Sequence, residues 1–339
     1  MAARDSSEPH RAGDRTGTRP IGVGVLGAAD IAWRNALPAV QRCDGLRLVA
    51  VASRSAEKAG RFADRFDCEA VDSYPRLLER DDVEAVYVPL PNALHEEWAE
   101  AALRAGKHVL VEKSLTVDAE AARRLAGLAE ARGLAFMENF TFLCHPQHDE
   151  VRKLVADGAI GTPQTFTASL GIPRGGGDLI RYRPELAGGT LRENGCYPLR
   201  AALLHLGDDL RVLGAHLRTD PASGVDVAGS ALLADGAGLT AQCDFGLEHS
   251  YRNTYALWGS EGRVELDWAF NPRPDTRPVL RLQRGDVREE RVLAAADQFQ
   301  RTFTAFAAAC REPVAHRHHA QDAVRQATVM EAVLRASTR

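Results

Sequence analysis

The sequence offers no apolar run at its start: residues 1 to 19 read MAARDSSEPHRAGDRTGTR, charged and small polar, so neither a secretory signal nor a membrane anchor is expected there. That stretch reads as a disordered tail. No charge sign dominates, since 42 Lys and Arg face 46 Asp and Glu with no block of either, which argues against nucleic acid or a membrane surface as partner. The six cysteines, at positions 43, 68, 144, 196, 243 and 310, lack the short paired spacing of a disulfide framework or a zinc ribbon, and point to a reducing, cytoplasmic setting. Repeats and low-complexity tracts are missing as well. No metal is expected: Cys144, His145 and His148 crowd one short segment without completing a tetrahedral donor set, and His316, His318 and His319 read as the polar approach to a helix.

What is present is ample apolar material, 45% of 339 residues, more than one core usually organises. From Ile21 the pattern runs strand, glycine turn, helix. It continues with LRLVAVAS, a helix near 55 to 66, YPRLLER, EAVYVPL, a helix at 93 to 106, HVLVEK, a helix at 118 to 132 and AFMENF. Apolar strands alternating with amphipathic helices predict a parallel sheet covered on both faces, a doubly wound Rossmann domain over residues 20 to 142. After a helix near 146 to 157, runs such as QTFTASLGI, VDVAGSALLA, LTAQCDFGL, RNTYALWG and RVELDW are separated by short turns. Helices at 296 to 311 and 320 to 336 close the chain. Residues 143 to 339 are therefore expected to form an α/β domain on a largely antiparallel open sheet, and residues 1 to 19 stay outside both units.

Gly27, Ala28, Ala29, Asp30 and Ile31 stand where the first strand turns into a helix, the place where backbone amides and a positive helix end can meet a pyrophosphate. The glycine pattern is worn to G-x-A-x-x-A, and alone it would fit an ordinary tight turn. At the end of the second strand Ser53, Arg54 and Ser55 replace the single acid that grips a ribose hydroxyl. A guanidinium flanked by hydroxyls suits a 2′-phosphate, so NADP(H) is expected over NAD. Pro89, Leu90 and Asn92 follow the fourth strand on the carboxyl edge and would wall the cofactor, with His95 joining them.

Reduction of a carbonyl needs a group to stabilise the oxyanion and an acid to supply a proton. Lys113, ending HVLVEK, and Tyr197, in GGTLRENGCYPLR, are the candidates; Glu112 would hold the ammonium, and the ammonium would lower the phenol pKa. His145, at the domain junction, is a candidate for the substrate pocket.

Together these segments resemble the glucose-fructose oxidoreductase, inositol dehydrogenase and rhizopine catabolism family, abbreviated Gfo/Idh/MocA, over residues 20 to 336. VEKSLT is similar to the family's E-K-P signature, with Ser114 in place of proline. GGTLRENGCY is similar to its second signature, with Glu193 at the acid and Tyr197 at the histidine position. ADIAWRNALPA, MENFTF, DLIRYRPELAGG and ENGCYPLR resemble the branch of sugar 3-ketoreductases of deoxysugar biosynthesis. The resemblance implies NADPH-dependent reduction at C3 of a nucleotide-linked 3,4-diketo-2,6-dideoxyhexose, dTDP favoured. Lys113 would steady the oxygen, Tyr197 would supply the proton, and Asn139, Glu193 and Asn194 would lie at the substrate; the final acid is left open between Lys113 and Tyr197. Arg181, Tyr182 and Arg183 follow Gly175, Gly176 and Gly177, and this basic loop is expected to close over the diphosphate and base of a nucleotide sugar. A homodimer or homotetramer through the open sheet is implied too, because an uncovered apolar sheet is costly in water. Two other readings stay open: a free-sugar or dihydrodiol dehydrogenase, and a regulator that binds NADP without turnover.

Overall fold

The computed structural model describes residues 19–175 and 179–338; residues 1 to 18 of the expected tail, and Gly176 and Gly177, lie outside the described residues. IGVGVL forms β1 (Ile21–Leu26), buried along its whole length. The helix that follows is irregular: residues Ala32–Ala36 make a wide π-type turn before α1 (Leu37–Gln41). Pro38 accounts for this, since its ring has no N–H and collides with the carbonyl four residues back. In the wider turn the Leu37 N–H reaches the Ala32 carbonyl instead.

The alternation then runs β2 (Leu46–Ala52), α2 (Ala56–Phe66), β3 (Glu69–Val71), α3 (Tyr74–Leu78), β4 (Ala85–Val88), α4 (His95–Arg104), β5 (His108–Glu112), α5 (Ala119–Ala131) and β6 (Phe136–Asn139). Ser55, Ser73 and Asp118 cap α2, α3 and α5 by accepting backbone N–H bonds that the first helical turn would leave unmade. The six strands are parallel in the order β3-β2-β1-β4-β5-β6. Strand order reverses between β1 and β4, so the expected Rossmann sheet opens a crevice at its carboxyl edge.

The second half contains α6 (Gln147–Ala156), β7 (Pro163–Gly171), α7 (Cys196–Leu206), β8 (Arg211–Thr219), β9 (Asp226–Ala234), β10 (Thr240–Gly246), β11 (Arg252–Gly259), β12 (Arg263–Asp267), β13 (Val279–Arg284) and β14 (Val287–Val292). They form one sheet in the order β14-β13-β12-β11-β7-β10-β9-β8, in which β7 and β10 run parallel and the other pairs antiparallel. Its inner face packs Phe166, Leu233 and Phe245 on α7, with Val329 and Met330 of a later helix. The outer face corrects an expectation. Leu232, Gln242, Thr167, Ala256 and Glu265 lie side by side in one register row, and Ser230, Asp244, Ser169, Thr254 and Asp267 in the next, so the uncovered surface is mostly polar. Trp258, Leu232, Leu213 and Val292 are among its exposed apolar exceptions.

The closing helices are α8 (Gln298–Arg311) and α9 (His318–Ser337). Phe303 and Phe306 of α8 share a core with Val25 and Tyr87 of the first sheet, while α9 places Ala323 in that sheet's other core and Met330 in the second sheet's core. Packing thus crosses the division expected between residues 142 and 143. Among the described residues no helix is long and apolar enough to cross a membrane.

Candidate active site

Gly27 has φ of +120°, and a Cβ there would come within 2.8 Å of Leu90 Cδ2, so glycine is required both for the turn and for the approach of the β4 loop. Ala28 and Ala29 follow, and the Trp33 N–H bonds the Ala29 carbonyl at 3.0 Å to start the helix. Asp30 points away to an exposed pair with Arg34 at 3.2 Å. Ser53 accepts the Ser55 N–H at 3.2 Å, and Ser55 accepts the Lys58 N–H at 3.3 Å as the α2 cap. Each hydroxyl keeps its own proton to donate, with the exposed Arg54 between them and no acid beside it. This set suits a 2′-phosphate.

A cleft of about 620 Å³ lies where the two sheets meet, lined among others by Ala29, Ile31, Pro89 to Asn92, Glu112, Lys113, Asn139, Arg181, Glu193 and Tyr197. Lys113 directly follows β5, with its side chain 14% exposed; its Nζ donates to the Glu193 carbonyl at 3.1 Å and lies 3.8 Å from the Glu193 carboxylate. Burial works most strongly against this charge, but Glu193, with Tyr197, Cys196 and Glu112, together outweighs it, and the ammonium is held well above the ordinary lysine range. Glu193, rather than Glu112, is therefore the partner. Glu112 instead accepts from the Tyr87 hydroxyl at 2.7 Å and from Asn139 Nδ2 at 2.6 Å, with its carboxyl raised by burial.

Tyr197 opens α7 after the π-type turn Leu191–Gly195, and Lys113 Nζ sits 5.3 Å from the centre of its ring. Phe140, Phe142 and Phe270 pack against that ring at 5.7 to 6.0 Å. The expected lowering of the phenol pKa does not follow: burial pushes it up and exceeds the pull of Lys113, so the hydroxyl stays protonated. Asn139 Oδ1 is buried with no donor among the described residues, which leaves an acceptor free for a ligand. Asn92 spans the cleft, donating to the Ala187 carbonyl at 3.2 Å and to Glu193 at 3.1 Å.

Ser114, in place of the family proline, follows a cis peptide bond, and its hydroxyl donates to the Arg192 carbonyl at 3.0 Å. Side chains of Lys113 and Ser114 thus hold successive carbonyls of the turn that presents Tyr197.

Four expected site residues stand elsewhere. His95 is 1% exposed and lies behind the wall, its ring nitrogens 2.6 Å from the Leu90 carbonyl and 2.8 Å from the Ser114 carbonyl. His145 is buried away from the cleft, receives the Gln147 N–H at 3.2 Å and has its pKa lowered to about 4, by burial first and then by Arg301. Asn194 is committed to the Gly246 carbonyl at 2.7 Å, and Tyr182 to the Leu247 carbonyl at 3.2 Å beneath Arg174. The cleft also recruits Thr141, part of MENFTF but not singled out there, and Phe299, which no local motif marked and which arrives only because α8 folds back onto the first sheet.

A family model described as an oxidoreductase family with NAD-binding Rossmann fold matches residues 21–140, and one described as the GFO/IDH/MocA C-terminal domain matches residues 148–265. The chain is 50% identical over 325 residues to a dTDP-3,4-didehydro-2,6-dideoxy-alpha-D-glucose 3-reductase of Streptomyces violaceoruber, covering 96% of this chain and 94% of the relative. It is 49% identical over 314 residues to the enzyme of the same description from Actinomadura kijaniata, covering 93% and 95%. Its structure matches a crystal structure of a 3-ketoreductase from Actinomadura kijaniata in complex with NADP and TDP-benzene, with a TM-score of 0.91 at 48% identity over 94% of this chain and 98% of the other.

Proposed function

The chain belongs to the Gfo/Idh/MocA oxidoreductase family, and from that premise we propose that it reduces the C3 ketone of a dTDP-linked 3,4-diketo-2,6-dideoxyhexose with NADPH. The observation that carries this reading is the Lys113 ammonium over the face of the Tyr197 ring in one cleft, in a chain about half identical to two such reductases.

Bound NADPH supplies the hydride; Gly27, Ala28, Ala29 and Arg54 are the residues that would hold it. Lys113, kept charged by Glu193, neutralises the charge growing on the C3 oxygen. Tyr197, kept protonated by burial, gives its proton to that oxygen; an alkoxide is the stronger base, so the transfer runs downhill. Asn139 Oδ1 receives a ligand O–H or N–H, and Arg181 meets the substrate from the loop after β7.

The same reading places the enzyme in the cytoplasm, in deoxysugar and antibiotic biosynthesis. It makes the protein a homodimer or homotetramer, with Trp258, Leu232 and Leu213 as the exposed apolar residues that an interface on the second sheet would cover. The test is to follow NADPH absorbance with a panel of dTDP-linked ketohexoses and free aldoses. Consumption with the dTDP-linked 3-ketone and a new C3 hydroxyl in the product supports the proposal. Oxidation of a free aldose without any ketosugar reduction would transfer the protein to the free-sugar dehydrogenases.

A further inference from the structure

Three imidazoles crowd the passage from α8 into α9. In sequence His316, His318 and His319 read as a polar approach to a helix, but the fold closes them on one another. Each offers a ring nitrogen, and these atoms all lie within 4.8 Å of one another. The rings of His318 and His319 stand 4.1 Å apart, and those of His316 and His319 are parallel at 6.0 Å. Backbone bonds hold the turn in this shape: the His316 N–H reaches the Glu312 carbonyl at 3.2 Å, and the His319 N–H reaches the His316 carbonyl at 3.2 Å. His316 and His319 are half-buried and His318 is exposed, yet no ring nitrogen of the three bonds to another group among the described residues. Cys144, His145 and His148, the other segment crowded in sequence, come together as no such group among the described residues.

We propose that this cluster binds a divalent transition-metal ion of the zinc class, held by the three imidazoles with water completing its shell. Neutral imidazole is the commonest protein ligand for such ions, and short histidine-rich tracts are where it gathers. Bonds of about 2.0–2.1 Å to a tetrahedral ion put the donor nitrogens about 3.3 Å apart, so the widest separation closes by about 1.5 Å on binding. Rotation about the broad χ2 of histidine supplies that movement, because none of the three side chains is fully buried. Magnesium and calcium, which take oxygen ligands, do not fit the set. Asp322 lies about one turn further along α9 but is paired with Arg200 at 2.6 Å and Arg325 at 2.9 Å, which leaves the set at three nitrogens. His316 also lines a cavity of about 290 Å³ between α5 and α9, space for water at the open positions. Arg123 and Arg317 line it against Glu130, so coordination rather than long-range attraction holds the ion. The consequence is mechanical. α8 packs Phe303 in a core of the first sheet and α9 packs Met330 in the core of the second, so an ion at the turn pins the joint between them. None of the three histidines lines the reacting cleft.

The experiment titrates zinc chloride calorimetrically into the tag-free, chelator-treated full-length protein under reducing conditions, and into its His316→Ala, His319→Ala and His216→Ala variants. One ion should bind per chain, and His316→Ala or His319→Ala should each weaken it at least about tenfold, the scale on which a metal site loses affinity when even an indirect support is removed. His216→Ala, which removes an exposed histidine of β8, should leave the affinity unchanged. Zinc at about a hundredfold over Kd should raise the unfolding midpoint of the wild type by up to about 4 °C, and magnesium should not. Cobalt in its place should give the absorption of nitrogen ligation, without the thiolate charge-transfer band that binding to cysteine would add. Should an alanine variant unfold without metal, His316→Asn and His319→Asn, which keep a polar group in the turn, make the same test. A wild type that binds no ion, binding undiminished in both the His316 and His319 variants, or a thiolate band with cobalt would overturn the proposal.

Discussion

Glu138, on β6 beneath the Lys113 loop, gives a stability prediction with a definite sign. Its carboxyl is buried and accepts the Leu115 N–H at 2.8 Å. Burial raises its pKa from the ordinary 4.5 to about 7, partly offset by that hydrogen bond, Arg200 and Lys113, and reinforced by Glu112. Below pH 4.5 the group is protonated folded or unfolded, and it costs nothing. As pH rises toward 7 the unfolded chain has released the proton while the folded chain still holds it, so rising pH favours unfolding. Each pH step between the two values is worth about 1.4 kcal/mol, and above neutrality the total approaches roughly 3 kcal/mol. Gln at this position keeps an acceptor for Leu115 and does not titrate. Glu138→Gln should therefore match the wild type near pH 4.5 and exceed it by about 3 kcal/mol at pH 8 in equilibrium urea unfolding, with kcat retained. A difference that does not change with pH, or a variant weaker at pH 8, would mean that Glu138 is ionised in the fold and that Arg200 and Lys113 outweigh its burial.

Other changes test the site piece by piece. Arg54→Asp should lower the ratio of kcat/KM for NADPH over NADH by at least about tenfold, measured with one saturating ketosugar; an unchanged ratio would remove Arg54 from the 2′-phosphate. Tyr197→Phe keeps the aromatic packing but removes the proton, and should lower kcat roughly a hundredfold with little change in NADPH affinity; near-normal kcat would pass the role of acid to Lys113. Ser114→Ala loses the bond to the Arg192 carbonyl and should cost about 1 kcal/mol in thermal or urea unfolding, whereas no change would show that the bond is solvated away. His95→Phe removes both ties between the Leu90 and Ser114 loops, so kcat should fall while dTDP affinity holds; a pure loss of stability with normal kcat would make His95 structural only.

Much of the first sheet could be read from the sequence because its strands are short apolar runs ending in turns, and each helix carries its own cap, as Ser55, Ser73 and Asp118 show. The edge strands of the second sheet were harder. Neither β14 nor β8 has a fully buried residue, so the apolar-to-polar contrast that marks a half-buried strand is weak in both. In the site, Lys113 and Tyr197 were legible as motif residues at a strand end and a glycine turn. Their electrostatics were not, because the carboxylate facing Lys113 comes from Glu193 in the partner domain while adjacent Glu112 turns to Tyr87. His145 and Asn194 look like ligand residues in one dimension, yet the fold spends their hydrogen-bonding groups on Gln147 and Gly246. Phe299 could not be anticipated locally, since only the return of α8 brings it to the cleft.

The central claim is that hydride reaches C3 of a nucleotide-linked ketosugar within the cleft shared by Lys113 and Tyr197. Turnover with NADPH deuterated at the transferable C4 position, followed by NMR of the product, tests it directly. Deuterium bonded to C3 of the dTDP-linked hexose, and lost label transfer in the Lys113→Met, Tyr197→Phe double variant, is the predicted result. Deuterium at another carbon, or undiminished transfer by the double variant, would contradict it.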